Sequence, residues 1–228
     1  MKKIFKWLDN YWYHYKWVTL IVVAFAAILI FCIVNTGSGI EDDIQIVYAG
    51  PDVLTDTQLE RMERSFADLL KEDYNGDGKK SVNIVNITIM SDEQLEAAQK
   101  EAEEQGQTVV YDPNLRTQAL SQMKSLMSTG AVIICLLDPY VYESCEEGTF
   151  VTLESVLGKA PDGSYSEYAM KFSDTDLKNA FDSFSVLSDE ILVCIRNDVV
   201  ITTNNKHFQK EYAWHKTYFA DLANFSVN

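Results

Sequence analysis

Apolar positions along this chain fall into three kinds of pattern, and each predicts a different element. Residues 17–34 read WVTLIVVAFAAILIFCIV, with no charge among them. As a helix rising 1.5 Å per residue they span about 27 Å, enough to cross a bilayer core. Residues 131–137 (AVIICLL) and 191–196 (ILVCIR) are short apolar runs of the kind found in strands covered on both faces. Elsewhere apolar residues recur at helical spacing. Leu59, Met62, Phe66, Leu69 and Leu70 form one stripe, and Leu115, Ala119, Leu120, Met123, Leu126 and Met127 a second. Phe208, Tyr212, His215, Phe219 and Leu222 form a third, near the end of the chain.

Polar residues mark where these elements begin and end. Thr55 with Gln58, and Ser91 with Gln94, have capping-box spacing, in which each member bonds the other's backbone N–H. The helix opened by Ser91 runs to 105 with little apolar content beyond Leu95, Ala97, Ala98 and Ala102, so it belongs on the outside. Strands are predicted at 44–48 and 82–89, a further short one at 108–111, and extended segments at 150–153 and 199–202. Gly130 stops the third helix, a short helix over 140–146 ends at Gly148, and 158–167 is a Gly/Pro/Asp/Ser loop. Another turn of helix falls at 154–157, and Leu177, Ala180 and Phe181 mark a short helical excursion. Helices alternating with strands predict an α/β domain of three layers on a mainly parallel sheet. Roughly 190 residues suffice for one such core.

Charge decides how the span sits. Lys2, Lys3, Lys6 and Lys16 precede it, and Glu41, Asp42 and Asp43 follow; the lysine bias predicts a cytoplasmic N-terminus. No A-x-A-like cleavage site follows the span, and Cys32 is preceded by Phe31 where a lipoprotein signal needs a small residue. The expectation is an uncleaved signal anchor in the cell membrane. Its parts are a cytoplasmic or interfacial segment (1–16), a transmembrane helix (17–34), a linker (35–43) and an extracytoplasmic domain (44–228). Trp7, Tyr11, Trp12, Tyr13, Tyr15 and Trp17 are suited to the headgroup region, as an interfacial anchor or a surface-docking helix. Of the net charge of −15, the first 40 residues contribute four lysines and one acid; the remainder holds 15 basic and 33 acidic residues. Such an excess of acid argues against nucleic acid as a partner, because binding there relies on neutralising phosphates.

Two stretches carry a family resemblance: MSTGAVIICLLD at 127–138 and EEGTFVTL at 146–153. Together with the strand–helix–strand opening at 44–89, they resemble extracellular solute-binding proteins of ABC importers, with a type 2 periplasmic-binding fold. The likeness is to reduced, membrane-anchored relatives in Gram-positive bacteria. Ala131 stands where that pattern has an acid, the outer part is too short for two full lobes, and the anchor is a helix in place of a lipid. The resemblance implies a binding domain beside a transporter or other envelope complex.

Candidate chemistry is sparse. Ligands of open α/β sheets sit beyond the carboxyl ends of the strands, which places Tyr48, Gly50, Pro51 and Asp52 after the first strand and Asp138, Pro139, Tyr140 and Tyr142 after the central one. Tyrosines beside a carboxylate suit a sugar, an amine or a peptide. Alternatively, Asp138 caps a helix with Pro139 at its first position, and Gly50-Pro51 is a turn. Asp73, Asn75 and Asp77 with Gly78 match the start of a calcium loop, and Ser81 falls at its ninth position. Ile84 occupies the place of the bidentate glutamate, so the stretch is either a calcium site completed by Glu72 or water, or an Asx-rich turn. No other cofactor is implied. Cys135 and Cys194 lie in the two apolar runs and read as buried free thiols; pairing would need their strands to be neighbours with suitable geometry. The histidines are isolated, and neither a nucleophile elbow nor a phosphate loop is present. The expected function is non-enzymatic binding of a small molecule or a protein partner. The alternative is a tethered hydrolase of wall material, which needs two convergent carboxylates or a metal cluster in one cleft.

Overall fold

Strand β1 (Ile44–Gly50) lies inside the sheet, and its alternation assigns the two faces. Ile44, Ile46 and Tyr48 enter one apolar cluster, and Val47 and Ala49 enter the other. The computed structural model describes residues 42–106, 113–198 and 206–226. The expected span at 17–34 and the extended segments expected at 108–111 and 199–202 lie outside them. Residues Asp42–Asn228 cluster as one unit.

The chain continues through α1 (Asp56–Asp68), β2 (Val82–Thr88), α2 (Asp92–Glu104), α3 (Pro113–Thr129) and β3 (Ile134–Leu137). After these come α4 (Pro139–Glu143), α5 (Leu153–Leu157), β4 (Ala169–Lys171), α6 (Leu177–Ala180), β5 (Leu192–Ile195) and α7 (Lys206–Ala223). Both predicted capping boxes form, Thr55 with Gln58 and Ser91 with Gln94. Gly130 takes a φ of 77°, the left-handed conformation that stops α3 without a Cβ penalty.

The sheet order is β2-β1-β3-β5-β4. β1 pairs in parallel with β2 and β3, whereas β5 is antiparallel to both β3 and β4. Four strands therefore share a direction and β5 alone is reversed, which makes a mixed, mostly parallel sheet. Two further sequence expectations are adjusted. Of the run at 131–137, only Ile134–Leu137 pairs as a strand, although Val132 and Ile133 are buried as well. Asp43, expected in the linker, is 1% exposed and belongs to the domain. Its Oδ1 accepts from the Tyr74 and Asn75 amides at 2.6 and 2.9 Å, and its Oδ2 accepts from Ser81 N at 2.9 Å. One carboxylate thus ties the 73–81 loop to the start of β1.

One face of the sheet is covered by Met62, Phe66 and Leu70 from the α1 region and by Tyr218, Phe219 and Leu222 of α7, with Phe172 and Phe184 between them. The opposite face carries Met123 and Met127 of α3, Val141 of α4 and Phe150. His215, expected simply to pack in the aromatic stripe, also makes specific bonds. Its Nε2 accepts from Gln45 N of β1 at 3.0 Å, and its Nδ1 pairs with the Glu211 carbonyl at 2.9 Å. The first strand and the last helix are joined there.

Candidate functional site

The carboxyl ends of the parallel strands hold four of the six expected ligand residues in self-contained contacts. The phenol of Tyr48 folds over the end of β1, donates to Asp52 Oδ2 at 2.7 Å and accepts from Asp52 N at 3.0 Å. Burial, reinforced by the Asp52 carboxylate, pushes this phenol far above its ordinary titration range. Gly50 makes room for the ring, since a Cβ there would lie 2.7 Å from the Tyr48 hydroxyl. Asp52 also accepts from Ser188 N at 3.2 Å.

Asp138 is 3% exposed and caps α4, its Oδ1 accepting from Tyr140 N at 2.9 Å with Pro139 in the first turn. Its Oδ2 accepts from Gln94 Nε2 at 2.8 Å. Gln94 therefore serves its own capping box and the cap of α4 together. Tyr140 is 36% exposed at the edge of this region.

Tyr142 belongs elsewhere. Tyr48 packs in the cluster beneath α1 and α7, whereas Tyr142 packs against the cluster beneath α3. Its ring stacks on Phe150 at 5.2 Å and meets the Tyr165 edge at 5.8 Å, and its hydroxyl pairs with Ser166 Oγ at 2.7 Å. The six tyrosine, glycine and aspartate positions are thus divided between two places.

The larger concave feature on the α3 side is a cleft of about 650 Å³ between α3, the 144–149 segment and the residues after β5. Ser121, Ser125 and Ser128 line it from one side of α3 together with Lys124, and Glu146 and Glu147 face them. Arg196 also lines it. The residue is only 2% exposed; its Nε donates to Val132 O at 2.8 Å and its Nη1 to Asn197 O at 2.7 Å. Among the described residues no carboxylate comes within ion-pair distance of it. Burial lowers the guanidinium's proton affinity, which the Asp198 and Glu211 charges oppose, and arginine remains charged in proteins, so a cation is among the residues that line the cleft. A neighbouring hollow of about 210 Å³ shares Cys145, Glu146, Glu147 and Thr149 and is walled by Tyr142, Phe150 and Tyr168. Sequence reasoning missed Arg196, whose position at the end of an apolar strand resembles an ordinary solvated strand terminus.

The Asp73 turn is held by its own amides. Gly76 N and Gly78 N donate to the two Asp73 oxygens at 2.7 and 2.8 Å, Asp77 N to Asn75 Oδ1 at 2.9 Å, and Lys79 N to Asp77 Oδ1 at 2.8 Å. Those bonds are the Asx turns of the second sequence alternative. Among the described residues no group of three or more His, Cys, Asp or Glu side chains is arranged to hold a metal ion.

No protein-family profile, curated protein or solved structure matches this chain.

Proposed function

We propose that this chain is a non-enzymatic binding domain held on the outer side of the cell membrane by residues 17–34. Its cleft between α3 and the 144–149 segment takes a small polar ligand carrying a carboxylate or similar anionic group. Arg196 carries this reading. Among the described residues its buried guanidinium makes no ion pair, Asp198 and Glu211 acting on it only at longer range, and its fork of donors matches a carboxylate. The hydroxyls and ammonium along α3 extend the same preference, while Glu146 and Glu147 opposite favour a ligand that also bears an amine or hydroxyls. A volume of about 650 Å³ lies in the usual range for small-molecule sites.

The solute-binding resemblance of the sequence supports a single lobe acting beside a transporter or other envelope complex. At the strand ends, the polar groups of Tyr48, Asp52 and Asp138 are bonded to one another, to the Gln94 side chain and to backbone. That arrangement favours the cleft as the site and leaves Tyr140 at a rim.

Thermal-shift screening of the full-length chain against amino acids, short peptides, sugars and sugar acids tests this reading. Carboxylate-bearing compounds are expected to raise the melting temperature. Lys124→Ala, at an exposed lining position, is expected to weaken the response. If no compound in the panel shifts the transition, the cleft reading fails. External protease on intact cells tests the orientation and is expected to remove residues 44–228. Calorimetric titration with calcium separates the two alternatives for the Asp73 turn: binding heat supports an ion there, and its absence leaves the Asx turns alone.

A further inference from the structure

The hollow of about 210 Å³ beside the cleft has a lining unlike the cleft's own. Tyr142, Phe150 and Tyr168 give it aromatic walls, and Glu143, Glu146 and Glu147 give it carboxylates. Its neutral polar groups are already engaged inside the protein. The Tyr142 hydroxyl pairs with Ser166 Oγ at 2.7 Å, Thr149 Oγ1 donates to Glu146 O at 2.7 Å, and Cys145 Sγ donates to Val141 O at 3.4 Å. Glu143 accepts from the Tyr165 hydroxyl at 2.7 Å, whereas Glu146 and Glu147 make no ion pair among the described residues. The Glu167 charge chiefly, with its hydrogen bond and the Glu147 charge, pushes the Tyr168 phenol above its ordinary range. Negative charge therefore gathers around the rings, and Lys124 of the adjoining cleft does not line the hollow.

Aromatic walls with acid around them suit a cation, and the lining discriminates between kinds of cation. A primary ammonium carries three N–H donors, each of which needs an acceptor when it leaves water. Glu146 and Glu147 are exposed, so they set the local potential without forming a fixed set of acceptors. A quaternary ammonium has no N–H to satisfy; its methyl groups pack against rings, and its charge is drawn to ring faces and to nearby acid. The volume is below the roughly 300–1,000 Å³ of whole small-molecule pockets, so the hollow takes a headgroup. We propose that the hollow is a subsite for a quaternary ammonium group. The ligand shared with the cleft is then a betaine-type zwitterion, with a trimethylammonium at one end and a carboxylate at the other. Cys145, Glu146, Glu147 and Thr149 line both spaces, so one molecule can occupy the two together. The inference deepens the cleft reading and rests on it for the carboxylate end.

The test is saturation-transfer NMR on the full-length chain in maltoside micelles, at fixed ionic strength and with empty micelles as the blank. Tetramethylammonium probes the hollow alone, butanoate the cleft alone, and 4-(trimethylammonio)butanoate both. Transfer to the N-methyl signals is expected, and methylammonium is expected to displace tetramethylammonium poorly. Tyr168→Ala should weaken tetramethylammonium binding roughly 2- to 30-fold, the range for losing one ring, whereas Tyr168→Phe keeps the ring and restores binding. Glu147→Gln, at an exposed position, should also weaken it and gives the reading if Tyr168→Ala fails to fold. Lys124→Ala should weaken butanoate and leave tetramethylammonium unchanged. The proposal is overturned if tetramethylammonium shows no transfer, if methylammonium displaces it equally well, or if Glu147→Gln and Tyr168→Ala both bind it like the wild type. Butanoate binding without tetramethylammonium binding sinks the hollow and keeps the cleft; the reverse supports the hollow and sinks the cleft.

Discussion

Acidification is expected to loosen the junction between β1 and α7 through His215. Acting as an acceptor for Gln45 N, the Nε2 atom must be unprotonated, and the proton sits on Nδ1 facing the Glu211 carbonyl. Burial chiefly, with the nearby Arg196 charge, lowers the imidazole from 6.5 to about 4; the bond to Glu211 opposes the drop. A group whose folded value lies below its unfolded value contributes stability above the unfolded value and loses it as pH falls toward the folded one. His215 therefore stabilises the domain fully above pH 6.5, and its contribution drains away toward pH 4. At about 1.4 kcal/mol per pH unit, the whole effect is about 3 kcal/mol, of which about 2 kcal/mol disappears between pH 8 and pH 5. The perturbation is His215→Gln, which offers an acceptor without titrating in this range. Urea unfolding of residues 42–228 can be followed at Trp214, which stacks on Tyr74 at 5.5 Å and is the single tryptophan beyond the N-terminal segment. Between pH 8 and pH 5 the wild type should lose about 2 kcal/mol more than the variant. A stability difference that stays constant over that interval refutes the assigned tautomer and the latch.

Other substitutions probe different parts of the fold. Asp43→Ala leaves the amides of Tyr74, Asn75 and Ser81 without their carboxylate and should cost about 3 kcal/mol in urea unfolding, whereas Asp43→Asn should cost less. Gly50→Ala brings a methyl group against the Tyr48 hydroxyl and should lower stability by about 1–3 kcal/mol, read as a lower melting temperature. Tyr218→Phe removes a buried hydroxyl that donates to the Phe66 carbonyl at 2.5 Å and should cost about 1–2 kcal/mol, measured by the same unfolding assay.

Helices were more legible in the sequence than strand pairing, because their signals are local. Thr55 with Gln58, and Ser91 with Gln94, specify their helix starts from residues three apart, and Gly130 specifies a stop. The run at 191–196 announces burial but contains nothing that distinguishes a parallel from an antiparallel partner, so the reversal of β5 was invisible. β4 is three residues long and follows a serine- and tyrosine-rich loop, too short for any periodicity. Asp43 looked like part of an acidic linker because its partners, the amides of residues 74, 75 and 81, have no side-chain signature. The expected ligand residues follow the same rule. That Tyr48 and Asp52 lie near a strand end is readable, but their satisfaction of each other depends on Gly50 and on how the chain turns. Asp138 was correctly legible as a cap, while its second partner, Gln94, comes from 44 residues away.

The bond between Gln45 and His215 joins positions 170 apart. The sheet around it places β1, β3 and β5, from early, middle and late in the domain, side by side. For a chain made from its N-terminus, β1 and β2 can pair early, but the face covered by α7 stays open until α7 emerges. Completion of this face therefore waits for α7, and long-range pairings of this kind fold slowly. A chain stopped short of α7 would display the apolar surface of Phe66, Ile44 and Ile46, a form that quality control can recognise and remove.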